Sequence, residues 1–194
     1  MIMMGSIMHA RERMIQSAAL LFRERGIEAT ALSDVIEHSG APRGSIYHHF
    51  PGGKAELAED ATRYAGDYVA GLIEAVAERD DPVLLVRSFV DQWRTVLRDS
   101  DCCAGCPIVA VALDSGEQSG VRRAAAAAFE RWQQLCADAL RAKEVEPQRA
   151  KSLAALMVAS VEGAIVLSRV QRDTAPLDLV GAELESLVRE AIAA

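Results

Sequence analysis

Much of what would mark a catalyst or an exported protein is missing from this 194-residue chain. Alternating β-branched residues are scarce and alanine is abundant, which disfavours sheet and favours helix. There is no nucleophile elbow followed by a Ser-His-Asp order, no H-E-x-x-H pair and no complete phosphate-binding glycine loop. Gly52-Gly53-Lys54 lacks the rest of a Walker motif. The chain is therefore not expected to be an enzyme, and nothing in it asks for a cofactor or a metal. Cysteine is limited to four residues, three of them crowded at Cys102, Cys103 and Cys106, unlike the spread of a secreted disulfide framework. The longest apolar run, Leu153 to Leu167, falls short of the roughly 20 residues that span a bilayer and contains Glu162, so no membrane partner is expected. The opening MIMMGSIMHA is too short for a signal h-region and has no basic n-region, which makes the cytoplasm the expected location. Internal repeats and low-complexity linkers are absent too, apart from the alanines 124–128, which favour helix.

Positive charge is in deficit, with a formal net charge of −7. The deficit is uneven. Residues 1–54 hold six Lys/Arg against five Asp/Glu, and the remainder fifteen against twenty-three. All four histidines (His9, His38, His48, His49) lie in the first part, with His9 and His38 expected on the surface. A near-neutral head joined to an acidic body can still place a reader on nucleic acid while the body repels stray phosphate.

Within the head, Thr30 to Leu57 reads as two short helical patterns about a break. Val35 and Ile36 are apolar in the first, and Ile46 and Phe50, four apart, share a face of the second and should be core. Gly40 suits a C′ position of positive φ, and Pro42 cannot continue the first helix but can open the second. This is a helix-turn-helix pattern whose second helix carries Arg43, Gly44, Ser45, Tyr47, His48 and His49, donors and small residues suited to a DNA groove. Residues 9–25 form an expected first helix, with Met14, Ala18, Leu21 and Phe22 on the face that covers the back of this pair.

Gly26, Thr30, the Val35-Ile36 pair, Gly40, Gly44 through Phe50 and Lys54 through Leu57 resemble the DNA-binding domain of the TetR family of transcriptional regulators. The resemblance is close over the first third of the chain; beyond it only length and helical character match. Ile36 stands where a small residue is usual, Pro42 where a serine cap is usual, and Gly52-Gly53 adds one residue before Lys54. The Ala41–Ser45 and Phe50–Lys54 stretches are similar to the branch that includes lincomycin- and flavonoid-responsive repressors. The resemblance implies an all-α fold of about nine helices. An N-terminal three-helix DNA-binding domain (1–52) would precede a helical ligand-binding and dimerisation domain (53–194). It also implies a homodimer, joined through residues 147–172 and 177–193, that grips a palindromic double-stranded operator. A small apolar or aromatic effector would release this repressor. DNA contacts are expected from Thr30, Arg43, Gly44, Ser45, Tyr47, His48, His49 and Lys54. Of these, Arg43, Ser45 and His48 face base edges, and Tyr47, His49 and Lys54 hold the backbone.

Downstream, the patterns predict helix four over Gly53–Ala77 with Leu57, Ala61, Tyr64, Tyr68 and Leu72 on a stripe. Its free N–H groups would help Lys54 meet a phosphate. Asp80-Asp81-Pro82 caps helix five, which runs to about Arg98 with Leu85, Phe89, Trp93 and Leu97 in i+4 steps. Helix six is expected over Pro107–Asp114 with Ser115-Gly116 ending it, and helix seven over Glu117–Lys143 with Phe129, Trp132, Cys136 and Leu140 on a face. Pro147 opens helix eight, apolar almost all round, and Pro176 the last, with Val180, Leu184, Leu187 and Ile192 on a stripe. Thr30 is a plausible N-cap for helix two.

Candidate effector contacts are Phe89, Trp93, Cys106, Val109, Leu113, Trp132, Met157 and Glu162. Trp93 and Trp132 either wall an aromatic pocket or pack in the core, and core packing also accounts for Met157. Glu162 sits in the most apolar stretch and must be paired, or reached by solvent or ligand, in a pocket or at a dimer interface. Cys103-Ala104-Gly105-Cys106 has the spacing of a reactive dithiol, and the start of helix six could lower the pKa of Cys106. A structural or pocket-lining role for Cys102, Cys103 and Cys106 is favoured over a thiol-responsive regulator. A helical binding protein without DNA activity is the other alternative.

Overall fold

A computed structural model describes residues 10–114 and 119–194, with side chains for 10–112 and 120–194. Nine helices and no strand make up the described residues. They are α1 (Ala10–Arg25), α2 (Leu32–Ser39), α3 (Ser45–His49), α4 (Gly53–Ala77), α5 (Pro82–Asp99), α6 (Pro107–Asp114), α7 (Ser119–Arg141), α8 (Pro147–Gln171) and α9 (Ala175–Ala193). The expectations for His9, for the Ser115-Gly116 stop and for a start of helix seven at Glu117 fall outside the described residues.

Local chemistry starts several helices where it was expected. The Asp81 side chain accepts from Val83 N–H at 2.9 Å, and Pro82 takes the first helical position of α5, where its missing N–H costs nothing. Glu146 accepts from Gln148 and Arg149 N–H ahead of Pro147, and both bonds hold its carboxyl below the ordinary carboxylate pKa. Gly40 ends α2 with φ of 63°, the left-handed conformation that glycine adopts without penalty.

Two expectations about caps are corrected. Thr30 does not cap α2. It is buried, its hydroxyl donates to Gly26 carbonyl at 2.8 Å, and Ala31 takes the cap position. Ala31 makes no side-chain cap bond, and Asp34 at N3 instead reaches back to accept from the Ala31 N–H at 3.2 Å. Pro42 does not open α3, which begins three residues later; its carbonyl instead accepts from Ser45 N–H at 3.0 Å and Ser45 hydroxyl at 2.7 Å.

In the head, Met14, Ala18, Leu21 and Phe22 of α1 close over Val35, Ile46 and Phe50, all buried. Burying Phe50 completely contributes on the order of 2 kcal/mol. Arg11 lies over the Phe50 ring at 5.1 Å and pairs with Asp60 of α4, tying the head to the long helix. In the body, α4 packs on α7 through small residues. Of the expected stripe, Leu57 and Ala61 are buried, but the buried face continues through Ala58, Ala65, Gly66, Val69 and Ile73, and Tyr64 and Tyr68 lie outside it, partly exposed. At the crossing Trp132 donates its indole N–H to Gly66 carbonyl at 2.9 Å, and a Cβ on Gly66 would lie 2.7 Å from that of Ala128. Only glycine permits that approach. Helix α8 reaches the length and apolarity of a membrane span, which the shorter run Leu153–Leu167 does not. Its inner residues, among them Leu153, Met157, Ala164 and Ile165, are buried in the core it shares with α7 and α9.

Candidate nucleic-acid interface and ligand groove

The cations of the head divide into those that brace it and those that remain available. Arg11 is held by Asp60, Arg13 donates to Ser39 carbonyl at 3.2 Å, and Arg25 faces Asp34 at 3.8 Å. Arg43 is exposed and joins no ion pair among the described residues. It lies in the turn before α3, not within the helix, as does Gly44, the N-cap. Tyr47 is 70% exposed and His48 exposed, while His49 is half-buried with its ring 5.3 Å from that of His48. A Cβ on Gly44 would meet nothing within 4 Å, and its φ of −100° suits any residue. The interior of the head therefore does not demand glycine there; open space on the outer side suits close approach of another molecule's backbone.

The remaining expected contacts are placed differently. Thr30 is an interior residue with its hydroxyl committed, so it leaves the outer surface. Ser45 spends its hydroxyl on the turn. Lys54 donates to Glu28 carbonyl at 3.1 Å, and Glu56 accepts from Gly52 N–H at 2.8 Å, so a carboxylate already occupies the start of α4. His38 is exposed, as expected, with Nδ1 3.0 Å from the Ser17 hydroxyl.

In the body five of the eight expected contacts line two spaces, and Cys106 lines neither. The larger is a groove of about 530 Å³ between α1, α4 and α5, with Pro107 also on its wall. Phe89 and Trp93 line it. Among the residues not expected there are Gln16, Leu20 and Arg23 of α1, with Tyr64 and Tyr68 of α4. Their signal was present: Gln16, Leu20 and Arg23 follow i, i+4, i+7, beside the core face of α1. The second space, about 30 Å³, has room for little more than a water and is lined by Phe89, Trp132, Met157 and Glu162. Phe89 is the wall between them. Val109 is half-buried against the core and lines neither, and the Leu113 side chain lies outside the described residues.

Glu162 is half-buried as a residue, but its Oε2 is out of solvent and has no hydrogen-bond partner. Burial raises its pKa to about 7, partly opposed by a bond from the Cys106 thiol. Burial and the nearby Glu162 push the Cys106 thiol well above its ordinary range, so the start of α6 does not activate it. Cys136 is likewise pushed up to about 12 by burial. Cys103 is exposed and Cys102 half-buried. Among the described residues no three His, Cys, Asp or Glu side chains converge as a metal site would require.

The loop carrying these cysteines joins head and body. Asp101 and Cys102 both hold positive φ, 50° and 58°, an arrangement that costs on the order of 1 kcal/mol each. Gly105 N–H donates to Arg23 carbonyl at the end of α1, at 3.3 Å. From the other side Arg169 of α8 donates to Cys103 carbonyl at 2.8 Å, and Arg172 pairs with Asp101.

A three-helix head with an exposed turn and recognition helix, set on a helical body with a groove, defines a helix-turn-helix DNA-binding protein. Comparison with known proteins names the class. The model of bacterial regulatory proteins of the tetR family matches residues 14–61, and that of the LmrA/YxaF-like transcriptional regulator C-terminal domain matches residues 82–183. The chain belongs to the TetR family of transcriptional regulators, DNA-binding regulators and not enzymes. It is 47% identical over 184 residues to an uncharacterised HTH-type transcriptional regulator of Mycobacterium tuberculosis, covering 92% of this chain and 93% of that one. It is 31% identical over 170 residues to the HTH-type transcriptional regulator LmrA of Bacillus subtilis, covering 87% and 90%. Its fold is that of a TetR transcriptional regulator from Legionella pneumophila, with TM-score 0.84 at 21% identity, covering 94% and 98%.

Proposed function

We propose that this regulator is a repressor, and that a small apolar or aromatic ligand seated in the groove between α1, α4 and α5 releases it from operator DNA. The observation that carries the reading is the makeup of that groove: one wall is α1, a helix of the head, and the other walls belong to the body. An occupant there touches both parts at once. Ligand can shift the head only by binding one arrangement better than another, and a shared wall supplies such a difference. The Asp101–Cys106 loop offers a second route, since it bonds to the end of α1 on one side and to α8 on the other. In this reading a head of residues 1–52 meets DNA through Arg43, Gly44, Tyr47, His48 and His49, with Ser45 and Lys54 bracing the turns behind them.

A homodimer supports a grip on two half-sites. The outer face of α8 presents Leu156, Val166, Leu167 and Val170 to solvent at helical spacing, and α9 adds Leu179, 70% exposed. Such a stripe is the kind of surface that a second copy covers, through residues 147–172 and 177–193. The family supports work in the cytoplasm. A thiol switch has less support, because Cys106 is buried with its pKa raised.

The test is a gel shift with Leu72→Trp, which fills the groove from α4. The variant holds operator DNA and resists release by an aromatic ligand that frees the wild type. Equal release of both proteins would remove the groove from the mechanism.

A further inference from the structure

The groove is apolar over most of its wall, yet one cation faces it. Arg23 is the only charged side chain among the described residues that line it, and no carboxylate stands opposite. Its Nε is buried and has no hydrogen-bond partner. A buried, unpaired guanidinium nitrogen is costly, and native proteins seldom leave one without something to receive it. Tyr64 and Tyr68 on one side and Phe89 and Trp93 on the other give the groove aromatic walls, and Gln16, Ser88 and Gln92 add neutral polar groups.

Resting on the function proposed above, we infer that the effector is a flat aromatic molecule bearing an anionic oxygen, carboxylate or phenolate, which accepts from Arg23 while its rings lie between the tyrosines and Trp93. A guanidinium is suited to this because its planar N–H groups match a carboxylate, and the pair is strong where water is excluded. A cationic ligand would face Arg23 with no compensating acid. The volume of about 530 Å³ lies within the range of sites for drug-sized ligands.

The position of Arg23 links occupancy to release. It lies in the last turn of α1, and its carbonyl is the acceptor of the Gly105 N–H bond. An anion drawing the Arg23 side chain into the groove pulls on the residue that joins the head to the cysteine loop.

The experiment compares anthracene-2-carboxylate with anthracene-2-carboxamide, of the same shape but neutral, by quenching of tryptophan fluorescence and by operator release. The wild type binds the acid at least about tenfold tighter than the amide and is released by it at correspondingly lower concentration. Arg23→Gln binds the two alike, and Arg23→Lys keeps part of the preference. Equal binding of acid and amide by the wild type, with release by both, overturns the role of Arg23 while leaving a groove-bound effector intact. Binding of neither probe, or binding without release, overturns the groove reading and this inference with it.

Discussion

Replacing Glu162 by glutamine removes a charge from the most apolar part of the molecule while nearly keeping its shape. In the folded chain this carboxyl titrates at about 7, raised by burial, against an ordinary value of 4.5. The sign follows from which state holds the proton longer. Between pH 4.5 and 7 the unfolded chain has released it and the folded chain retains it, so stability falls as pH rises through that window and levels off above it. A shift of this size sets an upper bound of about 3 kcal/mol on the loss, which partial exposure of the residue reduces. Glu162→Gln lacks this ionisation. The variant is therefore more stable than the wild type at pH 8 by up to about 3 kcal/mol, and the two converge near pH 5. Urea unfolding followed by circular dichroism at fixed protein concentration, from pH 5 to 8, measures both curves. Parallel curves would refute the reasoning, because they would mean that Glu162 finds a partner or water that relieves its burial.

Two further substitutions test packing and assembly. Gly66→Val forces a side chain against Ala128 at the α4–α7 crossing and lowers stability by about 1–3 kcal/mol. Gly71→Ala, on the same helix with open space around its Cβ, raises it by up to about 1 kcal/mol; thermal melts separate the two. Val166→Asp together with Val170→Asp places charges on the outer stripe of α8. Sedimentation should then report a single chain, and operator affinity should fall on the order of 100-fold as the two heads lose their linkage. Unchanged mass would move the dimer interface elsewhere.

Helix boundaries were legible in the sequence where the chemistry is local. Asp81 before Pro82, Pro147 at the start of α8 and Gly40 after α2 act within a turn of themselves, and the structure keeps them in those roles. Thr30 was misread because a threonine before a helix has a side chain suited to a cap. Here it is buried with its hydroxyl on Gly26 carbonyl, and the side-chain bond at this end runs from Ala31 N–H to Asp34. The stripe on α4 holds only at its start, where Leu57 and Ala61 are buried; further along, Tyr64 and Tyr68 leave the core. The core instead took the small ones, since Gly66 and its alanine neighbours let α7 come close. Phe89 and Trp93 were named among the effector contacts and do line the groove, although the i+4 stripe they share with Leu85 and Leu97 otherwise runs into the core. That Phe89 also separates the groove from the Glu162 cavity, and that α1 closes the other side, depends on how head and body dock, which no spacing within one helix records.

The central claim is that the turn and recognition helix around Arg43 and Tyr47 grip DNA. Gel-shift titration against the DNA flanking the chain's own gene tests it most directly, at several salt concentrations, with Arg43→Ala and Tyr47→Ala beside the wild type. The account predicts a specific complex that both variants weaken by roughly tenfold or more, with Arg43→Ala also altering sequence preference or reducing the salt slope by about 1 per head. A specific complex of unaltered affinity and salt slope in both variants would contradict it.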